Sequence, residues 1–344
     1  MKLFYGGLSL CGAIATLSAA SIGANAQGEI RIYSGEPVGG ALSIMPWGSG
    51  EAKQSEEHVL LGSNSLKIVT HGRYQGARLV LTNPLSVKSL LADTSAYLQL
   101  MVVLPTKETI GRMGNEYGMM GSMMGMMRGR MSGQGAGGGR GAGLGSGKLG
   151  GGAGGGQGAT GSDSQLVKPK PLGGLRLVIK TSDGKRAETI LQTNTSVKIR
   201  DDWSSLAVPL VTLKDLKDSN GEITELDIFG DSPATVFLGE VRVIRDETPI
   251  RVDELTERTV PVNDTVTFTG SANAGVTPLK YEWDFNSGNG VEVDAEGQSA
   301  KHKFRKSMKD SNGNTLPYIV TLKVIDPYGL KKPVTRTTKV FVTL

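Results

Sequence analysis

Residues 175–192 read LRLVIKTSDGKRAETILQ. On both sides of Asp183-Gly184 apolar and polar residues alternate, the period-2 pattern of strands with one buried face. Glycine takes the positive φ that a tight turn demands, so the stretch is a β-hairpin. Working outward, similar runs rich in Val, Ile, Leu and Thr recur. They include EIRIYS (29–34), HVLLG (58–62), SLKIVTHG (65–72), ARLVLT (77–82), AYLQLMVVLP (96–105), SLAVPLV (205–211), ITELDIFG (223–230) and TVFLGEVRVI (235–244). No long stretch holds a helical period, and SVKSLLADTSA (86–96) reads as either a short helix or a loop with an edge strand. Many short strands punctuated by turn residues specify an all-β chain. The expected architecture is two β-sandwich domains: a jelly-roll-like unit over 28–245, a short polar linker over 246–258, and a smaller sandwich over 259–344.

The hairpin is preceded by a very different segment. AYLQLMVVLP and GGLRLVIKTS look like neighbouring antiparallel strands, with residues 107–172 inserted between them. Glycine fills 17 of the 29 positions from 133 to 161, and such a chain cannot recover its ordering entropy by burial. The insertion is therefore expected to be a disordered surface loop. Within it, Met119, Met120, Met123, Met124, Met126 and Met127 supply soft thioether sulfurs, which suit Cu(I). No His or Cys is interleaved, so the plainer reading is a flexible low-complexity loop, and no cofactor is expected. Loose G-x-G-x-x-G matches nearby have no βαβ unit around them and do not mark a nucleotide site.

Residues 1–26 read as a secretory signal: Lys2 ahead of an apolar, small-residue stretch that ends in Ala24-Asn25-Ala26. The expected location is periplasmic, cell-surface or extracellular, with no transmembrane segment in the mature chain. Cys11, the single cysteine, leaves with the signal, which removes disulfides, zinc–thiolate sites and cysteine nucleophiles. The formal charge is +5, or +4 without Lys2. Residues 111–161 carry Arg112, Arg128, Arg130, Arg140 and Lys148 against Glu116, again +4, so the rest is near neutral. A folded basic face for nucleic acid is not expected.

The C-terminal unit carries a specific pattern. YEWDF (281–285) is followed by an Asn/Gly-rich turn, TVTF (265–268) lies upstream, and HKF (302–304) and YIVTLKVIDPYG (318–329) follow. In order and type these motifs resemble the PKD (polycystic-kidney-disease-type) domain, which implies an immunoglobulin-like sandwich acting as a noncatalytic spacer or adhesion module. Trp283 and Phe285 alternate with Asp284, which points both rings to one face and into a core. His302 reads as a structural or surface residue.

In the first unit GSNSLKIV (62–69), GARLVL (76–81), DWSSLAVPL (202–210), ITELDIFG and VFLGEVRVI (236–244) resemble the strands of carbohydrate-binding-module jelly rolls of the galactose-binding-like kind. Candidate ligand contacts are rings with polar neighbours: Trp47 in MPWGSGE, Arg73 and Tyr74 in HGRYQG, and also Tyr33, whereas Trp203 reads as core. ELDIFG (225–230) resembles the E-x-D-x-x-E strand of laminarinase-like glycoside hydrolases but lacks the second Glu, the acid/base of that mechanism. No catalytic residue is therefore assigned. The sequence reads as a noncatalytic exported binding or adhesion protein whose partner is a polysaccharide or a surface protein. The alternatives are a laminarinase-like glycosidase and a Cu(I)-binding protein.

Overall fold

The computed structural model describes residues 29–105, 171–290 and 292–344. The expected signal, the six methionines at 119–127 and all but the end of the expected insertion lie outside these residues. The first module comprises β1 (Ile30–Tyr33), β2 (Leu42–Trp47), β3 (Glu51–Ser55), β4 (Ser65–Thr70), β5 (Gly76–Ser86), β6 (Ala96–Val103), β7 (Gly174–Thr181), β8 (Arg186–Gln192), β9 (Val197–Arg200), β10 (Trp203–Pro209), β11 (Glu222–Gly230) and β12 (Ala234–Arg245). One α-helical turn, α1 (Lys214–Lys217), interrupts them, and residues 86–96 form a loop with one 3-10 turn.

The strands form two antiparallel sheets packed face to face. Sheet A runs β3-β4-β12-β6-β10-β9, with β1 pairing the far half of β12, and sheet B runs β2-β5-β11-β7-β8. Alternation puts Leu66, Leu98, Leu100, Val102 and Leu238 of sheet A against Leu79, Leu175, Leu177, Ile179, Leu226 and Ile228 of sheet B. Burial of each such side chain stabilises the fold by roughly 1.5–3 kcal/mol. The hairpin read from residues 175–192 is present as β7 and β8, paired from Gly174↔Gln192 to Lys180↔Arg186. Its turn holds Gly184 at φ +80°.

Two expectations are corrected. β6 and β7 are not neighbours: β6 pairs β10 and β12 in sheet A, while β7 pairs β8 and β11 in sheet B. β6 and β7 thus end and begin in different sheets, and Leu172, read as the last residue of the insertion, is buried in the core. HVLLG forms no strand, because its Leu60 instead packs down onto Trp203, Met101, Val103 and Phe237 on the outer side of sheet A. Trp203 is buried as expected, but in this satellite cluster and not between the sheets.

All eight residues of β6 are buried. Its inward residues Ala96, Leu98, Leu100 and Val102 meet sheet B. On the outward side Met101 and Val103 join the satellite cluster, and Gln99 donates to Ser205 Oγ (2.7 Å) and accepts from Arg242 Nε (2.7 Å). Tyr97, the remaining outward residue, is covered by the second module, whose Thr277 hydroxyl donates to its phenol oxygen (3.0 Å).

The second module contains β13 (Arg251–Val252), β14 (Arg258–Pro261), β15 (Thr265–Thr269), β16 (Ala272–Asn273), β17 (Lys280–Asp284), β18 (Ala295–Glu296), β19 (Ser299–Lys303), β20 (Met308–Lys309), β21 (Thr315–Leu316), β22 (Tyr318–Ile325) and β23 (Val334–Thr343). A β14-β23-β22-β17-β18 sheet packs over the β15-β19 pair. Trp283 and Phe285 lie parallel (6.3 Å, 7°) and meet Phe268 of β15 at 5.8 and 5.3 Å. Both rings are core, as their alternation with Asp284 requires. His302 stacks on Phe285 at 4.3 Å, and burial holds its imidazole below the usual value despite the nearby Asp294. Ile250 and Val252, within residues 246–258, pack into this same core.

At the junction Lys331 Nζ is buried and fully satisfied, donating to Asp246 Oδ2 (3.0 Å) and to the carbonyls of Thr248 (2.7 Å) and Ala274 (2.9 Å). Tyr328 reaches across to donate to the Ala207 carbonyl (3.2 Å). Burial alone would push the Asp246 carboxyl up, but hydrogen bonds from Thr248, Val276 and Lys331 outweigh it and hold it below its ordinary 3.8. Lys331→Met leaves that carboxylate with one fewer partner and should cost about 3–5 kcal/mol in urea unfolding at neutral pH. A loss below about 1 kcal/mol would show that the junction does not depend on the pair. A depressed carboxyl contributes stability above its unfolded pKa, and this is lost as pH falls through the folded one. Below about pH 4 the wild type should therefore lose stability more steeply than Lys331→Met.

Candidate binding face

With the middle of sheet A covered over β6, the outer side of sheet B offers the longest open face of the first module. Cross-strand register sorts its outward residues into three rows across β2, β5, β11, β7 and β8. One row is Ser43, Val80, Glu225, Lys180 and Arg186, and the next is Met45, Arg78, Asp227, Val178 and Glu188. The third is Trp47, Gly76, Phe229, Arg176 and Ile190.

The third row is aromatic and cationic. Gly76 must lack a side chain, since a Cβ would lie 2.2 Å from the Ile228 carbonyl oxygen. Across that gap Trp47 and Phe229 meet edge to face at 6.5 Å. The Arg78 guanidinium stacks 3.6 Å from the Trp47 ring, so one face of the indole is already occupied. Arg176 spans Phe229 (5.3 Å) and Tyr74 (4.9 Å), donates to the Arg73 carbonyl (3.1 Å), and makes a two-pronged pair with Glu188 (2.6 and 2.7 Å). Tyr74 is 70% exposed and, with Arg176 over one face, offers the most open ring of the group.

The centre of the face is an ion quartet. Glu225 Oε1 lies 2.5 Å from both Arg78 Nε and Lys180 Nζ, and Asp227 lies 3.3 and 3.1 Å from the same two nitrogens. Burial raises the Glu225 carboxyl; the Lys180 hydrogen bond opposes this, while a hydrogen bond and charge from Asp227 add to it, and the net shift is upward. The acids stand two residues apart on β11 and therefore on one face of the sheet. Such a face can stack a flat apolar surface on Tyr74 and exchange hydrogen bonds along a row of charged side chains. Among the described residues no group of three or more His, Cys, Asp or Glu could hold a metal.

Trp47, Arg73 and Tyr74, distant in sequence from β7 and β11, are thus brought together at one end of one sheet. Tyr33 is not among them: its side chain is buried in the core, because its strand turns it between the sheets. Arg78, Arg176, Lys180, Glu188 and Phe229 complete the face and were not identified from the sequence. Alternation marks Arg176 and Lys180 as outward, but only cross-strand register sets them beside Trp47 and Tyr74.

No family model matches this chain, and no curated protein does. Among solved structures, it is similar to a β-1,2-glucanase from Parabacteroides distasonis, with 9% identity and a TM-score of 0.32 over 91% of this chain. The chain spans 39% of that glucanase. A second similar structure contains three N-terminal domains of the bacteriophage RB49 highly immunogenic outer capsid protein, with 14% identity and a TM-score of 0.20, covering 49% of this chain and 48% of that one. Likenesses this distant carry no argument about function. Among the described residues no helix is long and apolar enough to cross a membrane.

Lys180→Met removes the cation that opposes the rise of Glu225, so the Glu225 carboxyl should titrate higher still above 4.5 in a carbon-detected NMR titration. An unchanged or lower value would mean that Lys180 does not hold that carboxylate in solution.

Proposed function

We propose that the chain is a noncatalytic exported binding protein that recognises a polysaccharide through the outer face of sheet B. The PKD-like module, fixed to the opposite sheet, acts as spacer or docking unit. The observation that carries this reading is the convergence of Tyr74, Trp47, Phe229 and Arg176 at one end of the open sheet, beside a row of charged groups. Sugars present apolar ring faces rimmed by hydroxyls, which such a surface complements. Export rests on the signal-like residues 1–26.

The Glu225–Asp227 pair favours a second reading, a glycoside hydrolase. Against it, a retaining pair needs carboxyls about 5–5.5 Å apart and an inverting pair about 6.5–9.5 Å, with the scissile bond between them. Both carboxylates are instead held by the same two cations, Arg78 and Lys180, at 2.5–3.3 Å, which engages the acids in ion pairs rather than leaving them free to face a scissile bond.

In pull-downs of the purified protein against soluble and insoluble polysaccharides, at least one should be retained. Tyr74→Ala should weaken that binding about fivefold, from roughly 1 kcal/mol of lost ring contact. Combining it with Trp47→Ala should weaken binding further. No released reducing ends should appear. Cleavage abolished by Glu225→Gln would replace this reading with the hydrolase one, and failure to retain any glycan would leave a protein partner.

A further inference from the structure

The charges on the open face do not cancel. Arg78 and Lys180 are matched by Glu225 and Asp227, and Arg176 by Glu188. Arg73 and Arg186 remain: both are exposed, and neither makes a direct ion pair among the described residues, although Arg186 stands close enough to Glu188 on β8 to help lower its carboxyl. They stand at opposite ends of β7. The Arg73 backbone accepts from Arg176 at one end, and Arg186 lies opposite Lys180 at the other. Arg176 and Lys180 are four residues apart on a strand, a span of about 13 Å. The backbones of the two exposed arginines therefore flank the two ends of that span, with the exposed Tyr74 ring at the Arg73 end.

Resting on the polysaccharide reading above, we infer that the ligand class is an acidic polysaccharide carrying carboxylate or sulfate groups. Each free arginine offers planar paired donors to a two-oxygen anionic group. Between them, Glu188 and the outer edges of the quartet can accept hydrogen bonds from neutral hydroxyls. A polymer with anionic groups and free hydroxyls alternating along it suits this arrangement. Single-stranded DNA suits it poorly, because its backbone carries a phosphate at every nucleotide and no free hydroxyl between phosphates for the three carboxylates to accept from.

The test is calorimetric titration of the full chain with polygalacturonate, a sulfated polysaccharide, an uncharged glucan and a single-stranded oligonucleotide, each at low and at high salt. The expected result is binding to at least one acidic polysaccharide that weakens with salt. Arg73→Glu with Arg186→Glu should lower that affinity at least tenfold. The unfolding midpoint should fall only slightly, because both side chains are exposed and lose no direct ion pair; Arg73→Gln with Arg186→Gln, which adds no acid beside Glu188, should weaken binding in the same direction with the midpoint unchanged. The polygalacturonate and sulfate arms tell which anion is read. Salt-independent binding of the uncharged glucan, unaffected by the charge reversals, would overturn the acidic class while keeping the polysaccharide reading. Binding of the oligonucleotide alone, or of none of the four polymers, would overturn both.

Discussion

Strand β6 has no solvent face. Its inner residues lie against sheet B, and its outer residues lie under the His58–Leu61 loop, the Gln99–Ser205–Arg242 hydrogen bonds and the second module. A central strand closed on both sides cannot turn toward water without exposing apolar surface on one of them. The arrangement of the whole molecule follows from this. The second module has a defined seat, the polar stretch after Arg245 is drawn into an interface, and sheet B is left as the open side of the sandwich.

The junction shows how a polar contact serves such a seat. Lys331 would be costly to bury alone, but with Asp246 and two carbonyls every ammonium proton has an acceptor. Tyr97, Thr277 and Tyr328 add hydrogen bonds that need correct alignment of both modules. Hydrophobic burial is non-directional, so these directional contacts select one orientation among many.

The face proposed for recognition is braced in the same way. Trp47 is braced by Arg78 and Phe229, and Arg176 is held by Glu188, Tyr74 and the Arg73 carbonyl before any ligand arrives. Groups held in place this way lose little rotamer entropy on binding. The same bracing engages the Glu225–Asp227 pair, whose carboxylates are both tied to Arg78 and Lys180.

Much of this was legible in the residues. Alternation in LRLVIKTS and KRAETILQ, with Gly184 at the turn, determined a hairpin, because both strand period and turn conformation are local properties. Trp283 and Phe285 were legible as core for the same reason, and Trp47, Arg73 and Tyr74 stood out as rings and charges in polar, Gly-containing loops. Local pattern could not say that β6 and β7 belong to different sheets, that HVLLG would roof a cluster instead of forming a strand, or that Tyr33 would turn inward. Nor could it place Arg78, Arg176 and Lys180 beside those candidates. Which strands pair, in what register, and which sheet is left uncovered are decided by contacts between residues from tens to more than a hundred positions apart. Those contacts exist only once the two sheets and the two modules have packed.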